Sequence, residues 1–131
     1  MKDIQKEIEK LNEYLLRFHT QVFFSRNSLQ DFKSYSKGQR KQILALIVKQ
    51  AMKGAMLKPK GNGNQLHPPL HQFAKIKPKS MSLRVIYRLV EKDEIVEMQI
   101  IAIGPRDRNE VYEMAKSRIH LFFEEIQQRG T

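Results

Sequence analysis

The chain has 131 residues, 40% of them apolar, which suits one domain with its own core and argues against wholesale disorder. It has no cysteine, so disulfides, thiolate metal sites and cysteine nucleophiles are excluded. Its net charge of +10 is concentrated in residues 26–88, where fourteen Lys or Arg face one acid, Asp31; residues 1–25 balance four against four, and residues 89–131 carry six bases and nine acids.

In chain order, residues 3–18 read as an amphipathic helix, with Ile4, Ile8, Leu11 and Leu15 on one face. Its charges alternate from the start, unlike a signal peptide, and no apolar run is long enough to cross a membrane. The cytoplasm is the default compartment. The β-branched and aromatic run TQVFFS (20–25) reads as a strand, and Ser25 to Ser28 offer helix caps. Leu29, Phe32 and Tyr35 suggest a short helix broken near Gly38. A longer helix over 39–56 places Ile43, Leu44, Ile47, Val48, Ala51 and Ala55 on one side and Arg40, Lys41, Lys49 and Lys53 on the other. The stretch LKPKGNGNQLHPP reads as a loop.

Three strands follow, at 71–77, 82–90 and 94–104, the last two joined by a hairpin at Glu91–Asp93. A final helix runs from the cap Asn109 to about Gln128. Alternation places Leu83, Val85, Tyr87 and Leu89 on the core face, with Val96, Met98, Ile100 and Ala102. Glu97 and Gln99 then point away from the core. The expected fold is α+β: a small antiparallel sheet of three or four strands with helices on one face. The open face would carry Lys75, Lys77, Arg84 and Arg88.

The strand 94–104 stops at Gly104-Pro105 and is followed by Arg106, Asp107 and Arg108, with Tyr112 one helical turn on. Arg106 and Arg108 would overhang the basic sheet face, forming a concave site rich in cations. Each member has a plainer reading. Edge-strand lysines deter aggregation, Tyr112 can be a packing residue, and Arg106 can pair with Asp107 or Glu110. Together they suit RNA cleavage by the 2′-OH on the adjacent phosphate, whose phosphorane transition state fixed cations stabilise preferentially. A lysine among cations has its charged form disfavoured, which favours a proton-transfer role, while arginine clamps phosphate. No metal or cofactor is needed, because the RNA carries its own nucleophile. His67 and His71 are four apart, but Pro68 and Pro69 separate them, so they are not expected to bind metal. The basic middle segment predicts a polyanionic partner.

The segment FAKIKPKSMSLRVIYRLVEKDEIVEMQIIAIGPRDRNEVYEMAKSRI (73–119) resembles the RelE toxins of bacterial toxin–antitoxin systems. A K-x-K strand, an R-V-I-Y strand and an apolar strand ending in Gly-x-Arg-x-Arg carry the likeness. Residues 20–119 correspond to the family core. Residues 1–19 and 120–131 are helical extensions of the same single domain. The resemblance implies a type II toxin that cleaves mRNA on the ribosome and so inhibits translation. Lys75 and Lys77 would be base and phosphate contacts, Arg84 a transition-state contact, Arg106 the leaving-group residue and Tyr112 the nucleotide-orienting ring. Arg88, Arg108, Lys79, Lys49 and Lys53 would bind RNA beside them. It also implies a cognate antitoxin, a partly disordered amphipathic chain, as partner. The alternative is a non-catalytic ParE-like toxin acting on gyrase, or a basic RNA- or ribosome-binding module. The two extensions are expected to pack together, Ile4, Ile8, Leu11 and Leu15 against Leu121, Phe122 and Ile126. Otherwise they would serve dimerisation or a changed antitoxin groove.

Overall fold

A computed structural model describes residues 2–54, 64–78 and 81–129. Helix α1 (Lys2–Leu15) leads through a short turn into strand β1 (Thr20–Phe24), followed by α2 (Arg26–Lys33) and α3 (Lys37–Lys53). The two-residue β2 (Asn64–Gln65), then β3 (Phe73–Ile76), β4 (Leu83–Lys92), β5 (Ile95–Pro105) and α4 (Glu110–Gln128) complete the chain. The strand order is β1-β5-β4-β3-β2.

The α+β class and the element order match the expectation; four details differ. The sheet is mixed, because β1 pairs parallel to β5 while the other pairs are antiparallel. A parallel neighbour needs a crossover connection, and the long excursion from β1 through the helices supplies it. Gly38 does not break a helix; it lies in the first turn of α3. Ser36 and Gln39 form a reciprocal capping box there, and its two bonds outweigh the weak helix preference of one glycine. Part of the predicted 57–69 loop, Asn64–Gln65, pairs with β3; residues 55–63 lie outside the described residues. Asn109 precedes α4 but makes no side-chain cap, because its left-handed backbone (φ 58°) turns the chain instead.

The largest difference is that helices cover both faces. On one side α1 and α3 pack on Val85, Tyr87, Met98 and Ile100, with Phe32 and Ile43 fully buried. On the other, Val111, Ala115, Phe122 and Ile126 of α4 pack on Phe73, Ile86 and Ile101. The face opposite the predicted core is therefore a second core. A β-bulge explains part of the misreading. Ile86 pairs with Ala102 but Tyr87 with Ile100, which leaves Ile101 as the extra residue. Ile101 and Ala102 both turn to α4, and Ile103 returns to the first side. Strict alternation had assigned Ala102 to the wrong face.

The two terminal extensions do not meet. Helix α1 packs beside β1 and α3, on the side away from α4. Its Asn12 carboxamide donates to the Val22 carbonyl (3.2 Å) and accepts from the Val22 N–H (2.7 Å). This satisfies outward-facing backbone of the edge strand β1 and protects that edge from pairing. Glu7 and Arg40 tie α1 to α3. Phe122, which would have made a sticky patch if exposed, sits edge-on to Phe73 with centroids 5.5 Å apart.

A buried polar network fixes the far end of α4. Glu97 and Gln99 are almost inaccessible (8% and 1% exposed) rather than solvent-facing. Arg129 donates to both Glu97 oxygens at 3.0 Å, Gln99 donates to Glu97, and Arg88 donates to Gln99. Burial alone raises the Glu97 carboxyl, but hydrogen bonds from Arg129, Gln99 and Lys92 and the Arg129 charge outweigh it, holding it down at about 2 against the usual 4.5. A group depressed on folding stabilises above its unfolded value, and that contribution is lost as pH falls through the folded value. Between pH 5 and 2, Glu97 should cost the protein on the order of 2–3 kcal/mol of stability. Urea unfolding across that range checks this, with Glu97→Gln showing a flatter pH dependence than wild type.

Candidate nucleic-acid site

Register places the cations relative to one another. Lys75 of β3 is opposite Ile86 of β4, and Ile76, the last residue of β3, is opposite Val85, so Lys77 leaves the sheet near the start of β4. Arg84 in turn is the cross-strand partner of Gly104. Lys75 and Arg84 lie on the α4 side of the sheet by alternation from the buried Phe73 and Ile86. At the strand ends, the Arg106 N–H donates to the Ser82 carbonyl, which holds the Arg106 corner beside the start of β4.

Gly104 packs under the start of α4: a Cβ there would lie 2.8 Å from Met114 Sδ and would make that side chain shift. The chain turns the corner through two successive left-handed residues, Arg108 (φ 54°) and Asn109 (φ 58°). Asparagine adopts that conformation readily, whereas arginine does so at a cost of about 1 kcal/mol. The Arg106 and Arg108 side chains are exposed, and neither forms an ion pair among the described residues. The plain alternative of Arg106 pairing with Asp107 or Glu110 is thus not realised. Arg84 is half-buried, and its guanidinium donates to the Leu83 carbonyl.

Lys75 and Tyr112 share an open cavity of about 340 Å³ bounded by Leu66, His67, Pro68, Leu70, Asn109, Glu113 and Lys116. Tyr112 is half-buried and leans on the α4-side core, so the packing role and an exposed ring face coexist. Lys75 and Tyr112 thus line one cavity, while Arg84, opposite Gly104, and the Arg106 backbone, bonded to Ser82, lie at the start of β4.

Three of the other predicted RNA-binding residues, Lys49, Lys53 and Arg88, are placed elsewhere. Lys79 lies outside the described residues. Lys49 and Lys53 are exposed on α3, whose packing is with the opposite face of the sheet. Arg88 is drawn into the interior: it donates to Gln99, lies 5.0 Å from the Phe123 ring centre, and burial lowers its guanidinium from the ordinary value. It lines a separate, larger cavity of about 760 Å³ towards the far end of α4, with Val90, Ile119 and Phe123. Glu113, Lys116 and an apolar wall of Leu66 and Leu70 carry no local sequence signal for the site. Glu113 and Lys116 reach the cavity from α4, and Leu66 and Leu70 from the turn between β2 and β3. No helix among the described residues is long and apolar enough to cross a membrane.

No family model and no curated protein matches the chain. Solved structures do. A variant of the E. coli toxin RelE with two arginines replaced by alanine, in the free state, is 26% identical with a TM-score of 0.55, over 75% of this chain and 95% of that one. The same variant in complex with an antitoxin RelBc peptide is 20% identical with a TM-score of 0.50, over 72% and 90%. The architecture is thus that of a small α+β protein whose sheet presents a basic corner where its last strand meets its last helix. It is the RelE-like toxin fold.

Proposed function

We propose that this protein is the toxin of a type II toxin–antitoxin pair and that it cleaves mRNA on the ribosome. The observation that supports the reading is the cavity shared by Lys75 and Tyr112, with Arg84 at the start of the neighbouring strand opposite Gly104, on a fold like that of RelE. The fold gives only the scaffold, and the argument for chemistry rests on the site.

In this reading the 2′-OH of one nucleotide attacks the neighbouring phosphate. Arg84 and Lys77 hold the phosphate oxygens and stabilise the extra charge of the phosphorane. Arg106 faces the departing 5′ oxygen, and Tyr112 offers a ring for a base to stack on. Arg108 contacts the RNA backbone at the rim. The lysines supply phosphate contacts and proton transfer. Arg88 instead supports α4 through Gln99. An antitoxin is the expected protein partner, as the RelE variant solved with an antitoxin peptide suggests.

Induced expression provides the test. Wild-type protein should arrest growth while new mRNA 5′ ends appear inside translated codons, and Arg106→Ala should lose both effects. Growth arrest without new RNA ends would instead favour a binding role on the same fold, with gyrase or the ribosome as target.

A further inference from the structure

Resting on the ribonuclease reading, we propose that His67 takes the proton from the attacking 2′-OH, as a catalytic residue additional to the lysines and arginines.

The turn that carries His67 is firmly built. The Leu66 N–H donates to the Phe73 carbonyl, continuing the β2–β3 pairing by one residue. The Leu70 N–H closes a turn on the His67 carbonyl, and the Phe73 N–H returns to the Leu70 carbonyl. The Gln65 carboxamide donates to the His71 carbonyl at 2.7 Å. Leu70 is 2% exposed in the core under α4 and anchors the turn from below. These bonds fix the backbone of the turn, whose exposed His67 lines the cavity that Lys75 and Tyr112 share.

The chemistry of the cavity then selects among its members. A base effective at neutral pH must be uncharged there yet willing to accept a proton. Tyrosine and lysine ordinarily titrate near 10, and arginine higher still. The one carboxylate of the cavity, Glu113, is engaged by Lys116 at 3.1 Å. Imidazole is the side chain that changes protonation between about pH 5 and 8. The groups facing it are Lys75 from β3 and Tyr112, Glu113 and Lys116 from α4; the charges among them are two cations and one anion.

In the step proposed, the O2′–P bond forms as the P–O5′ bond breaks. The 2′ proton passes to the His67 imidazole, and the 5′ oxygen takes a proton from the Lys75 ammonium. The products are a 2′,3′-cyclic phosphate and a 5′-hydroxyl, and solvent restores both side chains. His67 and Lys75 line the same cavity, so base and acid would act from within it.

The test is single-turnover cleavage of mRNA on programmed ribosomes from pH 5.5 to 8.5, for wild type, His67→Ala, His67→Gln and Arg84→Ala. Wild type should accelerate with pH across the imidazole range. Both His67 variants should fall about 100-fold at pH 7.5 and lose that acceleration, with unchanged ribosome affinity and melting temperature. Added imidazole should restore part of the rate to His67→Ala. The inference is overturned if the His67 variants cleave within threefold of wild type with the same pH profile. If Arg84→Ala is inactive in that same experiment, the ribonuclease reading survives without His67. Absence of cleavage by the wild-type protein would overturn both.

Discussion

Replacing Arg84 by alanine should reduce mRNA cleavage on programmed ribosomes at least 100-fold while leaving the fold intact. The side chain is half-buried near the start of β4, opposite Gly104 close to where the last strand meets α4. Its guanidinium makes one hydrogen bond among the described residues, to the Leu83 carbonyl, and no ion pair there, so its removal deprives the interior of little. A cation placed where charge develops contributes to the transition state in a way no folding contact replaces, and losing one such donor typically costs about 100- to 1,000-fold in rate. Arg84→Lys should recover only a fraction, because an ammonium cannot present the planar fork to two phosphate oxygens. Single-turnover rates with unfolding curves separate the two effects. A large loss of stability with normal residual activity would mean that Arg84 is structural.

Arg118→Ala should destabilise the protein by about 3 kcal/mol, at the lower end of the range for breaking an interior ion pair. Strand β1 ends at Phe24, opposite Ile100, and the Ser25 N–H takes the Ile100 carbonyl. Beyond that point β5 has lost its neighbour on this edge. Arg118 of α4 donates to the Ile101 carbonyl, and Asp31 of α2 accepts from the Ile103 N–H. The two side chains join through a two-pronged pair, at 2.6 and 3.0 Å. They thus stand in for the missing strand. Removing the arginine leaves a partly buried carboxylate and an unpaired carbonyl, and both are costly. Asp31→Ala should be comparably harmful, whereas Lys116→Ala, in an exposed pair with Glu113, should change stability by less than about 1 kcal/mol. Urea midpoints for the three variants check the contrast. A cost under 1 kcal/mol for Arg118→Ala would show that the edge tolerates water.

The same pair shows how much could be read from the sequence. Asp31 stood out as the lone acid among fourteen bases, yet its partner is 87 residues away, and no local pattern points to it. The local signals were sound: the periodicity of α1 and the apolar strands β4 and β5 reappear in the structure, and Lys75 and Tyr112 line one cavity. What failed were inferences about faces. Hydrophobic alternation tells which residues share a side, but not that a second helix covers the other side. Glu97 and Gln99 looked solvent-facing because their partners, Arg129 and Arg88, lie far along the chain or on the neighbouring strand. The bulge at Ile101 cannot be seen in an unbroken run of apolar residues. Likewise, the apolar pattern of α1 said that it must be buried, without saying that Asn12 would seal the β1 edge. His67 was visible as a residue but not as a neighbour of Lys75 and Tyr112, because that depends on the two-residue pairing of β2 with β3.

The central claim is that the basic corner promotes attack by the RNA's own 2′-OH, and one measurement addresses it most directly. Purified protein is presented with ribosomes programmed with mRNA that is either all-ribose or carries a single 2′-deoxy nucleotide at the scissile position, and the product ends are identified. The account predicts cleavage of the all-ribose message to a 2′,3′-cyclic phosphate and a 5′-hydroxyl, and none of the 2′-deoxy message. Equal cleavage of both messages, or products ending in 3′-hydroxyl and 5′-phosphate, would contradict it.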